Sequence, residues 1–219
     1  MTAERSAIPR AIVLLSGGLD SATCLLIARK EATEVFALSF EYGQRHRVEL
    51  ERARALATRY GAASHRVVRL DYPAAESSAL TDASFAIPRH ALGAEPIPIT
   101  YVPARNTLFL AHAVAWGEAI GAGDIYIGAN ALDYSGYPDC RPEFLESFER
   151  AANLGTKAGV EGSLRFRIHA PLLSMSKGEI VTLASRLGLD FKLSSSCYDP
   201  APSGAPCGAC DACLLRAKG

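Results

Sequence analysis

The stretch "AIVLLSGGLDSATCLLIARKE" (11–31) limits what this chain can fold into more than any other. An apolar run ends in a polar corner with two adjacent glycines and passes at once into a helical pattern. Residues 11–16 read as a buried strand and 20–31 as a helix. Gly17 and Gly18 let the backbone turn tightly and come close to a ligand. The amides of the corner and of the first helical turn then face one point, where the helix dipole favours negative charge. The hydroxyls of Ser16 and Ser21 can add donors. The corner is a phosphate cradle, but it lacks the Gly-Lys-Ser/Thr ending of a P-loop and the three-glycine dinucleotide fingerprint.

The alternation continues along the chain. Strand-like runs at 34–42 and 64–71 flank an amphipathic helix at 44–60, with Gly61 placed as its C-terminal cap. Residues 72–103 break the rhythm: Pro73, Pro88, Pro96, Pro98 and Pro103 fall there with little periodicity, so an irregular insertion is expected. A helix (104–120), a strand (124–130), a long loop, a helix (142–157), a strand (165–173) and a helix (176–188) follow. This order predicts an α/β fold, a parallel sheet with helices on both faces over 1–190, and a small C-terminal segment, 191–219. Ligands in such sheets lie beyond the carboxyl ends of the strands, here the loops after Leu15, Phe40, Asn130 and Leu173.

Lys and Arg total 23, as do Asp and Glu, so the net charge is zero. Proteins that grip a long phosphate backbone show a basic excess, which argues against a nucleic-acid partner. "AIVLL" is too short for a signal peptide or a membrane span, so a cytoplasmic protein with reduced thiols is expected.

That expectation bears on the tail "CYDPAPSGAPCGACDAC", where Cys197, Cys207, Cys210 and Cys213 fall within seventeen residues. Four thiolates suit a closed, tetrahedral, structural zinc site, whose formation would contribute about 10 kcal/mol to ordering the tail. An iron–sulfur cluster is the alternative, although the cysteine–proline pair that closes the ferredoxin pattern is absent after Cys213. Cys24 lies on the apolar face of the first helix and reads as core.

The loop "GANALDYSGYPDCRPEF" (128–144) leaves the carboxyl end of a strand and carries Asp133, Tyr134, Ser135, Tyr137, Asp139 and Arg141. Tyrosines can stack on a flat ring, carboxylates can accept amidine-type N–H groups, and Arg141 can pair with an anionic substituent. Gln44, Arg45 and His46 in "FEYGQRHRVEL" begin a helix pointing the same way, with His46 readable as base, stacking partner or surface residue. Lys177 in "MSKGEI" and Arg105 in "VPARN" follow loops at the same edge and are candidates to meet a pyrophosphate.

Ser-Gly-Gly-x-Asp-Ser in a strand–loop–helix setting resembles the pyrophosphate loop of the N-type ATP pyrophosphatases, which split ATP between the α- and β-phosphates and adenylate a substrate oxygen. Taken with "FEYGQRHRVEL", "VPARN", "GANALDYSGYPDCRPEF", "PLLSMSKGEI" and the cysteine tail, the chain resembles the 7-cyano-7-deazaguanine synthases, the QueC family of queuosine biosynthesis, over nearly its whole length. The resemblance implies a ligase that converts 7-carboxy-7-deazaguanine to the nitrile with ammonia and two ATP, releasing AMP and diphosphate. It implies nucleotide contacts along Leu14, Leu15, Ser16, Gly17, Gly18, Leu19, Asp20, Ser21, Ala22, Thr23 and Cys24, with Phe40. Catalytic roles are implied for Asp20, Lys177 and Arg105, with Asp20 helping to hold magnesium. Substrate contacts are implied for Tyr42, Gln44, Arg45, His46, Asp133, Tyr134, Ser135, Tyr137, Asp139 and Arg141. One structural zinc per chain, free ammonia as nitrogen donor and a homodimer are also implied. A tRNA-thiolating relative with the same loop, a relative acting on another carboxylate or acceptor, and a non-catalytic zinc module are the competing readings. One departure from the family pattern is Ala104, where glycine is expected before the arginine; it matters if that position needs a glycine-only backbone conformation.

Overall fold

Five short runs pair into one parallel sheet. The computed structural model describes residues 9–45, 48–72, 77–87, 97–130, 136–201 and 203–218. The strands are β1 (Arg10–Leu14), β2 (Glu34–Glu41), β3 (Ser64–Arg69), β4 (Asp124–Tyr126) and β5 (Arg167–His169). The helices are α1 (Leu19–Glu31), α2 (Val48–Arg59), α3 (Arg105–Ile120), α4 (Pro142–Gly155), α5 (Lys157–Glu161), α6 (Lys177–Arg186) and α7 (Asp211–Lys218), with 3-10 turns at Pro138–Cys140 and Phe191–Leu193. Strand order is β3-β2-β1-β4-β5, all parallel. The chain therefore winds outward from β1 in one direction, then crosses back to β4 on the other side. The carboxyl ends of β1 and β4 form the switch point where α/β sheets bind ligands.

The central strand is apolar on both faces, and each face has its own core. Ala11, Val13 and Leu15 pack with Leu25 of α1, Leu56 of α2 and Ile180 of α6. Ile12 and Leu14 pack on the other side with Leu110 and Trp116 of α3, Leu145 of α4 and Phe166. Helices on both faces are what an all-parallel sheet requires. Among the described residues no helix is long and apolar enough to cross a membrane.

Several element ends differ from the sequence expectation. The helix expected at 44–60 starts at Val48, so Gln44 and Arg45 precede it rather than begin it. The Gln44 side chain explains the delay: its Oε1 accepts the Tyr42 amide (2.8 Å) and its Nε2 donates to the Phe40 carbonyl (2.8 Å). The strands expected at 124–130 and 165–173 each pair over three residues only; after β4 the chain leaves the sheet and Ile127–Asn130 line a cavity. The helix expected at 142–157 breaks at Thr156, whose hydroxyl donates to Ala152 (2.8 Å) and accepts the Gly159 amide (3.2 Å) to start α5. The described parts of 72–103 form turns without a strand, as expected for the insertion. The tail adds α7, which the cysteine spacing alone does not announce.

Candidate functional site

The glycine corner after β1 is shaped by two close approaches. Gly17 has φ +91°, and a Cβ on it would run into the Glu49 carbonyl oxygen at the start of α2. Gly128, after β4, passes so near the first turn of α1 that a Cβ would stand 2.9 Å from the Ser21 nitrogen. Within the corner, the Ser16 and Ser21 hydroxyls bond each other at 3.0 Å, and the Ser16 Oγ accepts the Gly18 amide at 3.2 Å. Asp20 lies in the first turn of α1. Its carboxylate takes the Lys177 ammonium at 2.7 and 2.8 Å and the Asn130 side-chain amide at 2.9 Å. Lys177 opens α6 behind a full capping box built by Ser176 and Glu179. Phosphate loop, carboxylate and ammonium thus meet at one corner of the sheet.

A cavity of about 280 Å³ opens beyond the carboxyl ends of β1, β2 and β4. Leu14, Leu15, Ser16, Gly18, Leu19, Asp20 and Ser21 form one wall. Phe40, Tyr42, Gln44, Arg45, Arg105, Tyr137 and Lys177 line the cavity as well. Phe40 stacks on Phe109 with centroids 3.9 Å apart. Arg105 donates to the Tyr42 hydroxyl at 3.3 Å, while its Nε is buried with no hydrogen-bond partner. Burial works against the guanidinium charge, but the Tyr42 and Tyr137 phenols and the Asp139 carboxylate raise its pKa above the ordinary arginine value. A fixed cation with a spare buried donor is a receptor for an anionic oxygen.

Other expected site residues lie elsewhere or are engaged with the protein's own backbone. Gly17, Ala22, Thr23 and Cys24 belong to the corner or to the buried side of α1 and do not line the cavity. Thr23 donates to the Leu19 carbonyl (2.8 Å), and burial pushes the Cys24 thiol far up. Arg45 lines the cavity, yet its guanidinium donates to the Ala79 and Phe85 carbonyls, both at 3.2 Å, and so ties down the insertion. Asp139 is buried and caps α3 by accepting the Asn106 amide at 2.8 Å; burial raises its carboxyl against that bond and the pull of Arg105. Arg141 is exposed at the cap of α4. His46, Asp133, Tyr134 and Ser135 lie outside the described residues.

Among the charged residues that line the cavity, two escape sequence reasoning. Glu49 reads as one more charge on an amphipathic helix, but it stands in the first turn of α2 against the cavity, where burial lifts its carboxyl to about 7 against the pull of Arg105. Arg216 comes from α7, with donations to the Phe191 carbonyl (2.8 Å) and the Ser194 carbonyl (3.2 Å). The tail reaches the cavity because the Ser195 amide donates to the Gly17 carbonyl at 2.9 Å.

The sulfur atoms of Cys197, Cys207, Cys210 and Cys213 all lie within 4.8 Å of one another. A tetrahedral ion with metal–sulfur bonds of about 2.3 Å needs edges of about 3.8 Å, so small shifts close the site. Backbone amides of Asp199 and Cys207 point at the Cys197 sulfur (3.3 and 3.2 Å), and that of Tyr198 at the Cys210 sulfur (3.4 Å). Amides aimed at sulfur stabilise thiolate, so the donor set fits a soft or borderline metal ion.

The family model described as "Queuosine biosynthesis protein QueC" matches residues 10–219. The chain belongs to the QueC family. QueC relatives from Geobacter metallireducens and Geobacter sulfurreducens, each named 7-cyano-7-deazaguanine synthase, are 58% identical to it over 210 residues, covering 96% of this chain and 88% of theirs. The Thiobacillus denitrificans protein of the same name is 58% identical over 211 residues, covering 96% and 93%. Among solved structures, the NMN synthetase of Francisella tularensis superposes with a TM-score of 0.52 at 19% identity, covering 94% of this chain and 71% of that one. The NH3-dependent NAD synthetase of Campylobacter jejuni gives 0.50 at 17% identity, covering 86% and 68%. These two place the QueC chain in their fold.

Proposed function

We propose that the protein converts 7-carboxy-7-deazaguanine, ATP and ammonia to 7-cyano-7-deazaguanine. The observation that carries this reading is a cavity lined both by the glycine corner and by aromatic side chains with a buried, spare-handed guanidinium, in a QueC-family chain. A volume of about 280 Å³ is close to the lower end of small-molecule sites, which suits a reaction in a confined space.

A carboxylate resists attack because oxide would have to leave. Transfer of AMP to the carboxylate oxygen provides a leaving group, and ammonia displaces AMP to give the amide. A second adenylation, on the amide oxygen, lets AMP leave with loss of the nitrogen-bound protons and gives the nitrile. The loop amides and the α1 dipole hold the polyphosphate. Lys177 and Arg105 offset charge developing on pyrophosphate, and Tyr42, Tyr137 and Phe40 orient the flat ring, so catalysis is mainly positioning plus electrostatics. Asp20 would be the residue that holds magnesium, which would supply positive charge beside the phosphates. The four cysteines hold zinc, which orders the tail. A cytoplasmic homodimer that uses free ammonia and does not bind nucleic acid completes the reading; sedimentation checks the dimer.

The test is mass spectrometry of products from the carboxy acid, ATP, magnesium and ammonium, with pyrophosphate measured in parallel. Nitrile and pyrophosphate are expected. Pyrophosphate release that ignores the acid, or no product at all, overturns the assignment.

A further inference from the structure

Glu49 stands where the two halves of the cavity meet. Its backbone carbonyl packs against Gly17 of the phosphate loop, and its carboxylate lies in the electrostatic field of Arg105 and itself acts on Tyr42. Glu49 lines the cavity, is half-buried, and among the described residues its carboxylate makes no ion pair. The charged groups around this space are Tyr42 after β2, Arg45 ahead of α2, Arg105 opening α3, Asp20 and Lys177 across the loop, and Arg216 from the tail. Asp20 is taken by Lys177, and Asp139 by the α3 amide. Glu49 is thus the carboxylate in the cavity lining that neither caps a helix nor sits in an ion pair, among the described residues.

We propose that Glu49 is the proton acceptor for the nitrogen nucleophile. The inference rests on the function proposed above. Its carboxylate takes a proton from ammonium; the freed lone pair forms the C–N bond to the adenylated carboxyl carbon. The C–O bond to AMP breaks, the electron pair leaves on the AMP oxygen, and the nitrogen gives up a second proton, to the departing AMP phosphate, to leave the neutral amide. The same nitrogen loses two further protons when the adenylated amide becomes nitrile, so one base beside that atom serves both stages. A carboxyl lifted by burial to about 7 is matched to this work, since a general base acts best with a pKa near the working pH.

The test compares ammonia with hydroxylamine, an amine that is already unprotonated near neutral pH, in wild type and in Glu49→Gln. In wild type, kcat at saturating ammonium rises with pH through about 7. In Glu49→Gln, ammonia-dependent turnover falls about 100-fold or more and the acid limb disappears. Hydroxamate formation from the same adenylate falls less than about ten-fold. Glu49→Asp restores part of the ammonia rate. Equal loss with both nucleophiles overturns the inference, as does an ammonia rate within a few-fold of wild type. If Glu49→Gln does not fold, the wild-type limb decides: its absence at saturating ammonium overturns the inference. Should wild type release no acid-dependent pyrophosphate, the proposed function fails first and takes this assignment with it, a result distinct from the others.

Discussion

Ala104 is the residue most clearly at odds with its backbone. It has φ +53° and ψ +24°, the left-handed region, and among the described residues it is the one non-glycine with positive φ. Its Cβ meets the following carbonyl there, at a cost of about 1–2 kcal/mol for an alanine. The conformation is enforced from both sides. The Ala104 amide donates to the Tyr101 hydroxyl at 3.0 Å, and its carbonyl accepts the Leu108 amide at 3.2 Å to start α3. Ala104 is exposed, so Ala104→Gly removes no buried methyl. Glycine adds freedom to the unfolded chain worth about 0.4–1 kcal/mol, which offsets part of the gain. The remainder is about 0.5–1 kcal/mol in favour of glycine, or about 1–4 °C in Tm for a chain of this size. Urea and thermal unfolding of purified protein measure it. Ala104→Val, β-branched in the same conformation, should move the other way by at least as much. If glycine leaves stability unchanged or lowers it while valine is neutral, the left-handed entry to α3 is not what holds this corner.

Four further outcomes follow from the geometry. Gly17→Ala should lose most soluble protein or most nucleotide affinity, because both φ and the Glu49 carbonyl exclude a methyl group there; an unchanged ATP titration would refute it. Asp20→Asn should abolish pyrophosphate release and leave bound metal unchanged by elemental analysis, while uncoupling the Lys177 ammonium costs about 1–3 kcal/mol in urea unfolding. The folded Glu49 carboxyl holds its proton up to about pH 7, whereas an ordinary one releases it near 4.5, so its contribution to stability is full below 4.5 and is lost as pH rises to about 7. Glu49→Gln should therefore lose less stability than wild type across that window, and parallel unfolding curves would contradict the burial argument. Cys210→Ser, at a fully buried sulfur, should release metal and weaken ATP binding together; loss of metal with intact ATP affinity would separate tail from site.

Much of this was legible because local chemistry and tertiary role agree. An apolar run into Ser-Gly-Gly is a strand and a corner in any context, and four closely spaced cysteines have few other uses. Lys177 and Arg105 are candidates because they follow strand-end loops, and both line the cavity. Sequence order failed where a polar side chain has two possible partners. Gln44 looks like a helix-start residue, but it satisfies two backbone groups of its own turn and delays α2. Asp139 looks like a substrate carboxylate and instead caps α3, since an orphan helix amide lay within reach. Glu49 was invisible because helical periodicity cannot say which exposed-looking charge a neighbouring loop will bury.

The tail physically joins the four-cysteine cluster to the glycine corner. Residues 194–198 run directly against the corner: the Ser195 amide bonds Gly17, and a Cβ on Gly18 would come within 3.5 Å of the Ser195 carbonyl. Arg216 of α7 then locks that segment by donating to Phe191 and Ser194, so the helix that carries Cys213 near its start also braces the strip lying on the loop. A Pro- and Gly-rich stretch such as 199–208 has little apolar surface with which to hold such a position by itself. A metal joining Cys197 to Cys207, Cys210 and Cys213, as proposed above, would close that stretch into a short loop, and the order gained would pass through Ser195 to the glycine corner.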